Sequence, residues 1–361
     1  WGDTRARFAV DGRRIYTTGF SGGSRVSLEV ALRYPENVAG VIVCCGGMPE
    51  GRTLPEPVPF AAFLAAGRKD FNYLEIRLLD EILARRQAAH RLALFEGAHE
   101  WPPADVAAEA LGWFEVLAMG RGLREKDPQL AGALLAESLG RAKDLAANGR
   151  LPEAVGLLDG LVRDFQGLAD TAAAAAELAE LRKAPALKDL EKADQKRRKI
   201  EVEYQTRGSR IWKRLQDTRE EVPDVAKAVK EFKVAELLDA ARRLKGTEDG
   251  YLAARQINWV LIEAYFEAPV WRQHKDLERE LFCRRLMVAI LPDRPEIRYN
   301  LAGALALAGE VGEAFTELRT AVDKGFADAA QLEADPDFAA LRPNPAFQSL
   351  IASLKQKRPN P

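Results

Sequence analysis

The chain is poor in the residues that hold disulfide-rich or metal-bound folds together: its 361 residues include three cysteines and three histidines. Cys44 and Cys45 are adjacent and Cys283 is distant, so no disulfide framework is expected. No C-x-x-C or H-x-x-x-H spacing occurs, and we predict neither a metal nor a cofactor. Packing on a buried strand is the expected role of at least one of the adjacent cysteines.

The chain also lacks a net charge of either sign and a long apolar run. Its 53 Lys and Arg residues nearly balance 54 Asp and Glu residues, so no overall field attracts nucleic acid or an anionic membrane. The longest apolar stretch, near residues 41–45, is far too short to cross a bilayer. We therefore expect no nucleic-acid partner and no membrane span.

An initiating methionine is absent as well, because the sequence begins at Trp1. Residues 5–12 read as the last turn of a helix that enters a strand, and we interpret this beginning as an upstream truncation. The absence of a signal peptide then says nothing about location, and an exported and a cytoplasmic protein both stay open. The length is typical of two or three domains.

One short motif stands out, the G-x-S-x-G pattern of residues 19–23. A strand-like run precedes it and a helical pattern follows, which is the context of a nucleophile elbow that lifts Ser21 above the strand end. Gly19 and Gly23 are both expected to be necessary, because a side chain at either place would collide with the neighbouring strand or helix. The turn would aim the N–H of Gly22 at an incoming carbonyl oxygen. The alternative is a glycine-rich turn without chemistry.

Strand-like and helix-like segments alternate after this motif. We predict strands at 38–44, 58–67 and 90–95, and helices at 73–88 and 104–119. This alternation predicts an α/β layer with a parallel sheet, in which chemistry lies in the loops beyond the carboxyl ends of the strands.

Three residues follow the ends of three different predicted strands. They are Ser21, Asp70 and His99, separated by 49 and 29 residues. The imidazole would take the serine proton and return it to the leaving group, while the carboxylate would fix its tautomer. No other acid and histidine fit, since His90 begins a strand and Asp80 lies within a helix. Singly, Asp70 and His99 are ordinary loop residues; with the elbow they predict a triad.

Residues 11–117 resemble the C-terminal half of the α/β-hydrolase superfamily. The resemblance is strongest to the esterase group of polyhydroxybutyrate depolymerases, feruloyl esterases and dienelactone-hydrolase-like enzymes. It lies in DGRRIYTTGFSGG at 11–23, in Gly67 with Asp70, and in FEGAHEWP at 95–102.

The resemblance implies a serine hydrolase of small or polymeric carboxylic esters, with this triad and Gly22 N–H as one oxyanion donor. The family's first strands and its second oxyanion donor would precede Trp1, leaving half a sheet with the elbow strand at its edge. Loss of one donor typically costs about a hundredfold to a thousandfold in rate. We therefore predict weak or no turnover by residues 1–361.

Four residues near the predicted strand ends are candidates for lining a substrate pocket: Phe20, Met48, Phe71 and Trp101. The alternative is a place in the hydrophobic core, where aromatic and methionine side chains usually lie.

The alternation ends at a linker over residues 120–128, after which the sequence predicts only helices. We place the hydrolase-like half domain at residues 1–119 and an all-helical domain at residues 120–361.

Two stretches of the helical region share one pattern. The first has Ala142, Leu145, Gly149, Ala154, Leu158 and Leu161, and the second has Ala302, Leu305, Gly309, Ala314, Leu318 and Ala321 at the same spacings. The pattern resembles the tetratricopeptide repeat, in which a glycine ends the first of two closely packed helices. It implies a surface for a protein partner or for self-association. The alternative is an unrelated hairpin with an alanine seam.

A long basic helix is predicted near residues 187–215. Residues 182–214 contain 12 Lys and Arg against 5 Asp and Glu, and apolar residues recur every three or four positions. This favours a packed helix with a solvated basic face. RNA or anionic lipid is the weaker alternative, because no aromatic residues interleave the basic ones.

Three functions are compatible with these patterns. The first is an ester hydrolase whose helical region recruits a partner, self-associates or shields the sheet. The second is an interaction scaffold that carries a hydrolase remnant, and the presence of all three triad residue types favours the enzyme over it. The third is a prolyl-oligopeptidase-like peptidase, which usually needs more than 49 residues between Ser21 and Asp70.

Overall fold

The computed structural model describes residues 2–357, and the chain divides into two compact units, one ending at Glu201 and the other beginning at Val202. Trp1 and residues 358–361 belong to the predicted domain ranges but lie outside the described residues. The first unit contains a parallel sheet with helices, and every described element of the second unit is helical. An α/β region followed by an all-helical region is thus confirmed. The alternation ends near residue 120, and the compact units divide at residue 201.

Strands and helices alternate in the first 120 residues. The elements are α1 (Gly2–Arg7), β1 (Tyr16–Phe20), α2 (Gly22–Arg33), β2 (Gly40–Cys44), β3 (Ala61–Gly67), α3 (Tyr73–Arg85), β4 (His90–Phe95) and α4 (Ala104–Gly120). The strands lie in the order β1-β2-β3-β4, and every neighbouring pair is parallel. β1 and β4 are therefore the edge strands of this sheet.

The residues of β3 alternate between two hydrophobic clusters, one on each face of the sheet. Ala62, Leu64 and Ala66 pack with side chains of α2 and α3. Phe63 and Ala65 pack on the other face, with Trp113 and other side chains of α4. Successive side chains of a strand point to opposite faces, so this wholly apolar strand is buried on both sides.

The register of the strands brings their carboxyl ends to one end of the sheet. Phe20 pairs with Cys44, Cys44 pairs with Ala65, and Gly67 pairs with Phe95. The loops that follow β1, β3 and β4 consequently start side by side.

Four more helices begin in the first unit: α5 (Pro128–Ala147), α6 (Leu151–Asp164), α7 (Ala172–Lys183) and α8 (Pro185–Gln216). α5 and α6 form the first predicted hairpin, turning at Gly149 with a φ of 75°. Ala142, Leu158 and Leu161 share a core cluster with Val116 of α4. The hairpin thus packs on the helix that covers the sheet.

The basic helix α8 includes the predicted span 187–215. Within the first unit, Asp194 of α8 pairs with Arg77 of α3 at 3.0 Å and with Arg198 at 3.2 Å. Arg198 also pairs with Glu81 of α3. These charges of α8 are therefore used in packing rather than presented to solvent.

The second unit continues as helices after the end of α8. They are α9 (Val225–Glu231), α10 (Val234–Arg243), α11 (Glu248–Gln273), α12 (Leu277–Ile290), α13 (Pro295–Leu307), α14 (Val311–Asp323), α15 (Ala329–Ala334), a 3-10 helix (Pro336–Leu341) and α16 (Pro345–Lys357). α13 and α14 form the second predicted hairpin, turning at Gly309 with a φ of 80°. Both repeated patterns are thus helical hairpins.

Over residues 2–357, no helix is both long enough and apolar enough to cross a membrane.

Candidate active site

Ser21 lies in the sharp turn between β1 and α2. Its φ of 54° and ψ of −120° are unusual for a residue with a side chain. The turn is fixed on both sides: the N–H of Ser21 donates to Cys44 O at 2.9 Å, and its carbonyl accepts from the N–H groups of Ser24 and Arg25. Backbone strain of this kind concentrates at functional sites, and it is the geometry expected of a nucleophile elbow.

The two glycines of the motif differ in the space around them. A Cβ at Gly19 would lie 2.1 Å from the carbonyl oxygen of Gly23, so only glycine fits there. A Cβ at Gly23 would meet no atom within 4 Å. The prediction that both positions need glycine is therefore wrong for Gly23, because the collision involves its backbone and not its own Cβ position.

Asp70 lies in the loop after β3 and is fully buried. Its Oδ1 accepts a hydrogen bond from the N–H of Asn72 at 2.9 Å and lies 2.9 Å from Nδ1 of His99. Oδ2 is buried and has no hydrogen-bond partner among residues 2–357. The side chain of Asn72 donates to Cys45 O at 2.8 Å, which ties the Asp70 loop to the end of β2.

His99, in the loop after β4, lies between the other two residues. Its Nε2 is 2.9 Å from Oγ of Ser21, and its Nδ1 is 2.9 Å from the Asp70 carboxylate. A carboxylate only accepts hydrogen bonds, so this contact places the proton on Nδ1 and leaves Nε2 free to accept from the serine hydroxyl. The structure thus brings the three predicted triad residues into one hydrogen-bonded array. His90 lies elsewhere, 3.4 Å from Asp80.

The N–H of Gly22, the predicted oxyanion donor, is at the start of α2. Within the described chain, neither Gly22 N–H nor Gly23 N–H enters a backbone hydrogen bond. The first N–H groups of a helix carry its positive dipole end. These two groups are available to bind a developing negative charge beside Ser21.

Two of the four predicted pocket residues contact the imidazole, and a third stacks on one of those two. The rings of Phe71 and Phe20 lie 4.2 and 4.7 Å from that of His99, and Trp101, 58% exposed, stacks on Phe20 at 5.4 Å. Met48 is placed differently, since it packs half-buried against the cluster formed with α2 and α3. Phe20 and Phe71 therefore both pack against the imidazole.

Cys45 also lies in this site, although nothing in the sequence around it predicted that. It is buried, with a φ of 54°, and its thiol lies 3.3 Å from Glu100 O. Burial, and then the charge of Asp70, raise the pKa of this thiol far above its ordinary value. Cys45 is therefore a protonated thiol in packing contact with the loops, not a second nucleophile.

The thiol of Cys45, the carboxylate of Asp70 and the imidazole of His99 lie within 4.8 Å of one another. Three ligands of these types are the minimum set of a catalytic zinc site. Asp70 and His99 already bond each other at 2.9 Å, and the other ring nitrogen of His99 lies 2.9 Å from Ser21 Oγ, so both nitrogens of the imidazole already have protein partners. The set fits a hydrogen-bonded pair better than a metal centre.

No protein-family model, curated protein or solved structure matches this chain.

Proposed function

We propose that this protein is a serine hydrolase that cleaves carboxylic esters through an acyl-enzyme, in an α/β-hydrolase-type domain. The observation that carries the proposal is the position of the His99 imidazole, 2.9 Å from both Ser21 Oγ and Asp70 Oδ1. That spacing lets one ring take a proton from the serine while the carboxylate stabilises the imidazolium.

In the first half-reaction, Ser21 Oγ attacks the ester carbonyl carbon as Nε2 of His99 takes its proton. The carbonyl oxygen becomes an oxyanion next to the N–H of Gly22. The tetrahedral intermediate collapses, the bond to the alcohol oxygen breaks, and His99 returns the proton to that oxygen. In the second half-reaction, water attacks the acyl-enzyme by the same steps and releases the acid.

The primary test is labelling of the full chain with a fluorophosphonate, because labelling needs the nucleophile and its base but no complete catalytic cycle. We expect labelling of Ser21 that Ser21→Ala abolishes and His99→Gln greatly reduces. Ser27→Ala and His90→Gln are matched controls, since Ser27 lies one and a half turns along α2 and His90 lies at the opposite end of β4 from the His99 loop. Both should label as the unchanged chain does.

Turnover is measured with p-nitrophenyl esters and with a peptide p-nitroanilide. We expect slow ester hydrolysis that still exceeds peptide hydrolysis, and we expect Ser21→Ala to reduce it to the uncatalysed rate. A folded chain that neither labels nor hydrolyses would reject the enzyme in favour of the scaffold. Preferential peptide cleavage would instead support the peptidase.

A further inference from the structure

Helix α6 runs beside the edge strand β4 and contacts it at both ends. At its start, the Arg150 guanidinium donates to Leu94 O, near the carboxyl end of β4, at 2.9 Å. At its last residue, Asp164 pairs with Arg91, near the amino end of β4, at 3.2 Å and accepts from Trp113 Nε1 at 2.8 Å. The start of α6 therefore lies where the site loops leave the sheet.

The two loops that carry Asp70 and His99 are joined to each other at this place. Arg68, two residues before Asp70, donates its N–H to Phe95 O at 3.0 Å, and the N–H of Lys69 donates to Gly97 O at 2.9 Å. Phe95 is the last residue of β4, and Gly97 lies in the segment that leads from β4 to His99. A displacement of either loop would therefore be passed to the other.

The side chain of Arg68 points away from solvent toward α6. It is only 3% exposed, and it pairs with Glu96 at 3.2 Å and with Glu153, in the first turn of α6. Glu153 also accepts from Nε of Arg150 at 2.9 Å. Arg150 thus contacts the end of β4 from which the His99 loop leaves, through Leu94 O, and Glu153 contacts the Asp70 loop through Arg68.

The charges at this contact are complementary. Burial acts to raise the pKa of Glu153, but the hydrogen bond from Arg150 and the charge of Arg68 outweigh it, so the net pKa is lowered. The carboxylate is therefore ionised at neutral pH, where charge-assisted hydrogen bonds to two arginines hold it in place.

We propose that Arg150 and Glu153 are positioning residues that hold the Asp70 and His99 loops in the register required by the triad. This inference rests on the proposed hydrolase function. The imidazole must keep two hydrogen bonds at once, and a displacement of about 1 Å can cost about a hundredfold in rate. Neither residue touches the reacting atoms, so their effect is on kcat through the loops.

The chain offers a matched control in Asp164, at the other end of the same helix. Its side chain is 3% exposed, against 24% for Glu153, so its loss should disturb the packing of α6 more. Asp164 contacts the start of β4 and not the site loops. Asp164→Asn removes the charge that pairs with Arg91, so a purely structural role for α6 predicts a loss of activity there as well, whereas positioning predicts a loss only at the end that carries Arg150 and Glu153.

The test compares Glu153→Ala, Arg150→Met and Asp164→Asn in the full chain, per mole of folded protein. We expect kcat for ester hydrolysis and the labelling rate to fall about 10-fold to 100-fold in the first two, with KM within about twofold. Asp164→Asn should stay within about threefold of the unchanged chain. Glu153→Gln should recover most of the rate, because its amide oxygen still accepts from Arg68 and Arg150.

A second readout separates this inference from the proposed function. The Nδ1 proton of His99, bonded to Asp70, should give a downfield proton resonance that His99→Gln removes. We expect Glu153→Ala to shift or broaden it and Asp164→Asn to leave it unchanged. The resonance can respond in this way even if the unchanged chain neither reacts with the fluorophosphonate nor hydrolyses esters. That result would support the positioning role of Arg150 and Glu153 and reject the hydrolase function.

Two results would overturn the inference. One is an unaltered resonance with unaltered rates in folded Glu153→Ala and Arg150→Met. The other is an equal loss of rate in folded Asp164→Asn, which would assign the effect to the packing of α6 as a whole.

Discussion

The two hairpins with the same residue pattern are built alike but used differently. In α5–α6 and in α13–α14, the small residues at equivalent positions are fully buried: Ala142 and Ala302, and Ala154 and Ala314. Each hairpin turns at a glycine with a positive φ. The shared residues thus account for the hairpin itself and not for what it contacts.

The difference lies in the glutamate that follows each glycine turn. Glu153, 24% exposed, bonds Arg150 and Arg68 beside the loops of the candidate site. Glu313, 61% exposed, pairs at 2.8 Å with Arg285 of α12, the helix that precedes this hairpin. The same residue type at the same position therefore joins a hairpin to a sheet in one unit and forms a surface pair in the other.

The largest expected effect tests whether the shared core is equally important in both hairpins. Leu158→Ala and Leu318→Ala each remove a fully buried side chain, and each should cost about 2–5 kcal/mol of stability. Urea unfolding measures the cost, and hydrogen exchange should show lost protection in the unit that contains the change.

Exposed leucines serve as controls for this pair. Leu111 is 55% exposed and Leu307 is 43% exposed, so Leu111→Ala and Leu307→Ala should stay within about 0.5 kcal/mol. If only one of Leu158→Ala and Leu318→Ala costs less than about 1 kcal/mol, the shared pattern does not give the two hairpins equally well-packed cores.

The second prediction sharpens the contrast between the glutamates. At pH 7, Glu153→Gln should cost about 1–2 kcal/mol, whereas Glu313→Gln should stay within about 0.5 kcal/mol as for other surface pairs. The net pKa of Glu153 is held below its ordinary value of 4.5, because Arg150 and Arg68 outweigh the opposing effect of burial. Its stabilisation is then complete above that pH and is lost as pH falls through the folded pKa.

Urea unfolding of the unchanged chain and of Glu153→Gln, from pH 7 down to about pH 3, tests the direction of this pH dependence. The stability difference should be constant above about pH 5 and shrink below it. A difference that grows on acidification would contradict the ion pair.

The sequence anticipates the sheet and the three site residues because both follow from local rules. Apolar runs alternate with helical patterns, and parallel strands bring the residues after their carboxyl ends to one end of the sheet. Ser21, Asp70 and His99 therefore meet although 78 residues separate the first from the last.

Features that depend on three-dimensional proximity were not predictable in this way. The motif contains two glycines, but only the packing of β1 against α2 reveals that Gly19 alone lacks room. Met48 follows a strand as the other pocket candidates do, yet it packs half-buried against the core cluster and not against the imidazole. Arg68 and Glu153 lie 85 residues apart, and neither has a local signal that pairs them.

The smallest expected effect tests the turns that the hairpins share. Gly149 and Gly309 have φ values of 75° and 80°, and a Cβ at either would meet no atom within 4 Å. Gly149→Ala and Gly309→Ala therefore cost only the strain of a left-handed backbone, about 1 kcal/mol each, and asparagine, which tolerates that conformation, should cost less. Matched thermal unfolding of the four variants measures this. Unequal costs would show that the turns differ in energy despite their equal geometry, so that the two hairpins differ in more than their contacts.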